Sequence, residues 1–342
     1  MRWIIIFLLM AMVQPASAIL TWRPGEGWAD ESGDATHAKD VKSQLDLARD
    51  LEAKQAWQDA FRAYRVLLRQ WPLSTYASEA QFKMGLMLEK RGEFWPAFQA
   101  YKKVVEKYPN SQFFNLAVER QYAIGNLFFA GEPQRLWKIP LLPSMNKAVE
   151  IFESVIRAAP YGDYAAPAYF QIGLAREKQR KWTDAIASYN MILDKYPGSD
   201  LVDDAQYQIG FAWLNAASEP DYDQSAAEKS IQAFQDFLTR FPNSEKAEQA
   251  KAHIAALKGR ISQGALNIAR FYERQDNLKA AYIYYNEVVR QNPDSKQGRE
   301  AKERVEALKP QMEKGDSQKE TTQTGDEKDQ TKEEKKEGAP LT

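Results

Sequence analysis

Residues 94–111, FWPAFQAYKKVVEKYPNS, place apolar side chains at Ala97, Tyr101, Val104, Val105 and Tyr108, the spacing of a helix that buries one face. Pro109 then ends the run, because proline lacks a backbone N–H and its ring crowds the preceding turn. The same cadence closes YRVLLRQWPLS, FESVIRAAPYG, YNMILDKYPGS, FQDFLTRFPNS and YNEVVRQNPDS, so the prolines are Pro72, Pro109, Pro160, Pro197, Pro242 and Pro293. They are separated by 37, 51, 37, 45 and 51 residues, a 37-residue unit that carries 14 extra residues twice and 8 once. Self-similarity at such a period marks an architecture in which each unit buries its apolar face against the next.

Counted back from each proline, position −12 holds Ala60, Ala97, Ala148, Ala185 and Ala281, with Ser230 in the fifth unit. Position −8 is aromatic throughout: Tyr64, Tyr101, Phe152, Tyr189, Phe234 and Tyr285. Position −24 holds Ala48, Gly85, Gly173 and Ala269, and Gly125 and Gly210 take that role once the insertions are allowed for. Positions −12 and −8 share one helix face, whereas the small residue belongs to a preceding helix. Two antiparallel helices that cross closely need little side-chain volume where they touch, which explains the glycine and alanine. Ser74, Ser111, Ser199, Ser244 and Ser295, each two beyond a proline, are expected to cap the next helix. The predicted fold class is all-α, a superhelix (α-solenoid) of about six helix pairs. A helix of about 15 residues barely forms alone in water, so the stack stands or falls as a unit.

Gly85, Gly92, Phe94, Ala97, Tyr101 and Pro109 resemble the small, glycine, aromatic, alanine, aromatic and proline positions of the tetratricopeptide repeat, and Gly173, Trp182, Ala185, Tyr189 and Pro197 do so again. The resemblance implies that the first helix of each pair lines a concave groove. Three residues before the small position stand Leu45, Phe82, Tyr122, Phe170, Tyr207 and Leu266. These side chains either line that groove as anchors for a peptide or extended strand, or pack between neighbouring repeats. Glu89 and Glu177, four after the small position, would add a polar rim. The candidate partner-binding residues are therefore Phe82, Glu89, Tyr122, Phe170, Glu177 and Tyr207.

The insertions add to this. The first falls in FAGEPQRLWKIPLLPSMNKA, where three prolines disfavour helix while Leu136, Trp137, Ile139, Leu141 and Leu142 are apolar. Such a loop, 131–147, folds back over the repeats or is offered to a partner, which makes Trp137 and Leu141 candidates as well. The 8-residue excess around NAASEPDYDQSAAEK is polar and reads as a longer turn. From Ser244 to Gln275 no proline occurs, which predicts one long or kinked helix, or two short ones.

Both ends differ from the repeats. Arg2, the apolar run Trp3 to Val13 and Ala16-Ser17-Ala18 form a signal-peptide pattern over 1–18, with cleavage expected after Ala18. Eleven apolar residues span roughly 16 Å as a helix, well short of a hydrocarbon core of about 30 Å. Residues 19–38 lack helical periodicity and read as an extended arm, with Trp22 and Trp28 around a Pro-Gly turn expected to cap the first repeat. The repeat domain covers 39–310. Residues 311–342 are almost wholly charged and polar, the composition of a disordered tail.

Composition narrows the function. The 342 residues are 44% hydrophobic with a formal charge of −1, enough for a large core but without a global pull toward nucleic acid or lipid. There is no cysteine, hence no disulfide or thiolate metal site. His37 and His253 have no HExxH-type partner, and GxxxxGK[ST] is absent. GEGWAD lacks the third glycine of a dinucleotide fingerprint, and basic residues alternate with acids, as in REKQRKW. A non-enzymatic role is expected, with no cofactor, no metal and no nucleic-acid partner.

Within tetratricopeptide proteins, the 37-residue unit with its YPxS closure and the stretch IARFYERQDNLKAAYIYYNEVVRQNPDS, 268–295, are similar to the outer-membrane assembly lipoprotein family BamD (YfiO). The resemblance covers about 40–310. It implies a periplasmic scaffold that binds the barrel-assembly subunit BamA, or unfolded outer-membrane proteins, during β-barrel insertion. That family is normally tethered through a lipidated cysteine, which this sequence lacks, so attachment is expected through a partner, the arm or the apolar loop. The competing resemblance is to CpoB (YbgF), periplasmic adaptors of envelope maintenance and division.

Overall fold

Every proline-terminated segment of the repeat is a helix in the computed structural model, which describes residues 20–23, 27–30, 36–131, 135–136, 139–140, 145–218 and 224–311. The expected signal peptide, the tail beyond 311, Trp137 and Leu141 lie outside the described residues. The helices divide between two compact units, residues 1–181 and 182–342.

In the first unit α1 (Val41–Ala53), α2 (Trp57–Gln70), α3 (Ala77–Lys90), α4 (Phe94–Lys107), α5 (Phe114–Ala130), α6 (Met145–Ala158) and α7 (Ala165–Lys178) pack each on the next along the chain. The second unit holds α8 (Trp182–Lys195), α9 (Val202–Ala216), α10 (Gln224–Arg240), α11 (Ala247–Arg274), α12 (Leu278–Gln291) and a final helix α13 over 296–311. Here α8 packs on α9, α9 on α10, α10 on α11 and α11 on α12. The fold class is all-α, of tetratricopeptide-repeat type.

In three pairs the glycine meets the aromatic residue of its partner helix. A Cβ built on Gly85 would stand 2.5 Å from Cε1 of Tyr101, and one on Gly125 2.6 Å from Cε1 of Phe152. The pattern repeats in the second unit, where a Cβ on Gly210 would come 2.7 Å from Cδ1 of Phe234. All six −8 aromatics are buried, as are the alanines at −12. Ser230, the exception at −12, is buried too and donates its hydroxyl to the carbonyl of Gly210 at 2.8 Å, so the polar atom is satisfied.

Between α3 and α4 the chain reverses through Gly92 at φ 75°, the left-handed region glycine reaches without strain. Gln55, Arg180 and Asp276 occupy the same place in other repeats at φ 59°, 59° and 56°.

The serines act differently from the expectation. Ser74, Ser111, Ser199 and Ser244 accept a hydrogen bond from the N–H two residues on, at 3.2, 3.0, 3.2 and 3.4 Å, and so shape the turn before the helix. The helices then begin at Ala77, Phe114, Val202 and Ala247. Ser295 alone of the five accepts from a residue three on, Gly298 N–H at 2.8 Å, as a cap for α13 should.

Two small hairpins interrupt the helical pattern. β1 (Leu20–Arg23) pairs antiparallel with β2 (Gly27–Asp30), with Trp22 opposite Trp28, so this part of the arm is a hairpin instead of simply extended. In the first insertion β3 (Arg135–Leu136) pairs with β4 (Ile139–Pro140), consistent with prolines excluding helix there. Beyond the first hairpin, residues 36–38 are tied to α1. The buried amide of Gln44 donates to the carbonyls of Thr36 at 2.7 Å and Ala63 at 2.9 Å and accepts from Ala38 N–H at 2.7 Å.

Candidate functional site

The structure places the aromatics three before the small residue in joints between helices. Phe82 is 6% exposed, with its ring 5.4 Å from that of Tyr101 and stacked at 5.3 Å on Phe113. Tyr207 is likewise 6% exposed, lying 5.5 Å from both Phe234 and Phe237, while Leu45 and Leu266 are fully buried. Tyr122 is half-buried, 5.6 Å from Phe152 and 5.0 Å from Tyr164. Phe170 and Glu177 are half-buried on α7. Phe82 and Tyr122 each bridge their own pair to the next, and Tyr207 does so through its hydroxyl, 3.2 Å from Nε2 of His253 on α11, so all three pack between repeats.

Glu89 is also committed to packing. Tyr101 donates its hydroxyl to it at 2.5 Å, and Arg120 on α5 donates through Nε at 3.0 Å and pairs through Nη2. Burial, then the neighbouring Glu89 charge, pushes the Tyr101 phenol far above its ordinary range, so it remains a donor. The arrangement recurs. Tyr64 donates to Glu52 at 2.6 Å with Lys83 at 2.8 Å, and Tyr285 donates to Glu273 at 2.6 Å with Arg304 paired to it. Where the aromatic is Phe152 or Phe234, the residue four after the small position is Phe129 or Leu214, so acid appears only where a hydroxyl needs an acceptor.

Among the described residues, an apolar surface left open by the neighbouring helices lies in the second unit. α11 runs 28 residues where α12 has 14, because the second 14-residue insertion is absorbed as one continuous helix. α10 packs on the first half through Phe237 and Ala250, and α12 on the second through Leu266, Ala269 and Tyr285. Between them a cavity of about 500 Å³ opens, floored by Ile261, Gly264, Ala265 and Ile268 of α11 and walled by Tyr284 and Gln291 of α12. Ala217 and Ala227 close one end. Built Cβ atoms on Gly259 and Gly264 would meet nothing within 4 Å.

Apolar exposure continues beside it: Ile268 is 43% exposed, Phe271 50% and Ile283 59%, and Tyr272 stacks on Tyr284 at 5.5 Å. The charges at the cavity are Glu228, Arg260 and Glu287. Hydrogen bonds from Arg290 at 2.6 and 3.0 Å and from Gln291 at 2.6 Å hold the Glu287 carboxyl below the usual range. The sequence reading missed this surface, although Ile261, Ala265, Ile268 and Tyr272 recur at helical spacing. That stripe alone does not distinguish a buried face from an open one.

Among the described residues no group of His, Asp and Glu could hold a metal ion, and no helix is long and apolar enough to cross a membrane. His253 is enclosed by rings, 5.2 Å from Phe234 with Nε2 3.2 Å from the Tyr207 hydroxyl.

Paired helices closed by an aromatic and a proline define a tetratricopeptide-repeat protein; the repeat's family model matches residues 79–111. The chain belongs to the YfiO outer membrane lipoprotein family, whose model matches residues 143–324, more than half of its length. An outer membrane protein assembly factor BamD from Caulobacter vibrioides is 25% identical over 144 residues, 42% of this chain and 47% of that protein. BamD from Pasteurella multocida is 25% identical over 168 residues, 46% of this chain and 64% of that protein. The chain spans about half the length of the curated relatives it matches. Among solved structures, MamA is 20% identical, covering 61% of this chain and 94% of its own at a TM-score of 0.34. A tetratricopeptide protein of Parabacteroides merdae is 11% identical, covering 78% and 98%, also at 0.34.

Proposed function

We propose that this chain is a non-catalytic periplasmic scaffold of the BamD type, which binds partner proteins during assembly of outer-membrane β-barrels. The observation that carries this reading is the open apolar surface of α11 and α12. It lies within the stretch matched by the family model and carries Ile268, Phe271 and Ile283, which are 43%, 50% and 59% exposed. A contiguous exposed apolar patch rimmed by charge is the usual mark of a protein-docking surface. The partner is a BamA-like barrel-assembly subunit, and contact with the outer membrane is indirect, through that partner.

Affinity purification of the full chain from the cell envelope tests this. A BamA-like subunit should co-purify and should be lost with the double variant Ile268→Asp, Ile283→Asp. Recovery of Tol proteins or peptidoglycan synthases in its place would overturn the reading in favour of a CpoB-like adaptor.

A further inference from the structure

We propose that the cavity along α11 is a slot for one amphipathic α-helix contributed by the partner, an inference that rests on the docking role just given to this surface. The floor follows a helical ridge, with Ile261, Gly264, Ala265 and Ile268 at i, i+3, i+4 and i+7. Elsewhere in the unit successive helices pack on one another, α8 on α9, α9 on α10, α10 on α11 and α11 on α12. Between the cover of α10 and that of α12 no helix among the described residues lies on the ridge, and Gly264 leaves room for a close approach.

Backbone chemistry selects a helix over an extended strand. The long walls belong to the middle of α11 and to α12, whose backbone groups along the slot are taken up within those helices, while the end of α9 and the first turn of α10 close one end. They offer no open edge for strand addition, so an extended segment would lay N–H and C=O groups against apolar side chains without partners. A helix satisfies those groups internally and presents only its apolar stripe. Charge sets the flanks of that stripe. Glu228 calls for lysine or arginine on the incoming helix and Arg260 for an acid, while Glu287 is already paired with Arg290.

The chain contains no cysteine, so Gly264→Cys supplies a single thiol that can carry a benzophenone photocross-linker in the full-length protein purified with its partner. The expected cross-links fall on partner residues three, four and seven apart. Cross-links on residues two apart would overturn the helix, since that is the period of a strand. A partner that co-purifies without cross-linking to position 264, or a cross-link to lipid alone, would overturn the slot and leave the scaffold reading standing. Failure of any partner to co-purify overturns both. As a second arm, Gly264→Trp places an indole in the slot from a position where an added Cβ meets nothing within 4 Å. It should lower the yield of co-purified partner at least about tenfold with an unchanged melting temperature. An unchanged yield would overturn the proposal.

Discussion

Tyr101 and Glu89 are joined by a 2.5 Å hydrogen bond across the α3–α4 pair, and Arg120 of the next repeat holds the same carboxylate. The bond thus ties packing within one repeat to packing between two. Glu89→Leu leaves a buried phenol without its acceptor and should cost about 2 kcal/mol. Adding Tyr101→Phe should recover about half of that, because Phe234 with Leu214 is the combination the chain itself uses elsewhere. Urea melts of the four proteins of the double-mutant cycle measure the coupling; additive losses would show that the two residues act independently.

Two glycines should respond oppositely to the same methyl group. Gly85→Ala forces a Cβ to within 2.5 Å of the Tyr101 ring and should destabilise by about 1 to 3 kcal/mol. Gly264→Ala adds a methyl group to open space in mid-helix and should stabilise by about 0.5 to 1 kcal/mol. Thermal denaturation of both variants decides it.

Burial pushes His253 below its ordinary value of 6.5. The folded form therefore binds its proton less readily than the unfolded chain. The contribution of His253 to stability is full above about pH 6.5 and falls as the pH drops from there toward the folded-state value. The groups around it are the Tyr207 hydroxyl, the rings of Phe211 and Phe234, and Lys246, whose ammonium stands 5.7 Å from the Tyr207 ring and is paired with Asp204. Melting temperatures of the native chain and His253→Phe between pH 5 and 8 should show a shallower acid decline in the variant. Parallel curves would remove His253 as a cause.

Ile268→Asp and Ile283→Asp change side chains that are 43% and 59% exposed, so each should cost no more than about 1 kcal/mol. Both should weaken partner binding, by about tenfold or more where the residue is an anchor. Phe82→Ala should do the reverse, costing about 3 kcal/mol through loss of its contacts with Tyr101 and Phe113. Circular dichroism melts alongside pull-down yields separate the two classes of effect.

Much of the helical scaffold was legible because its causes are local. Proline ends a helix unless it sits in the first turn, as Pro96 and Pro167 do in α4 and α7, and a glycine 16 residues before a tyrosine, as Gly85 is before Tyr101, can be read as a close crossing without coordinates. The pairing of Tyr with Glu, and of Phe with an apolar residue, was equally present in the letters and was not read. The reach of the serines was misjudged by a few residues, since an ST-turn and an N-cap draw on the same residue type at nearly the same distance.

What the chain determines alone, then, is where helices begin and end, which residues must be small and which rings must be buried, because backbone sterics and helical period act over a few residues. Only the tertiary structure decided that Phe82 and Tyr207 bridge repeats while Ile268 and Ile283 face solvent. Periodicity assigns a side chain to a face, but what covers that face depends on helices distant in sequence. α11 shows the difference: its length follows from a proline-free insertion, whereas the cleft beside it exists because α10 and α12 cover its two halves and leave the middle open.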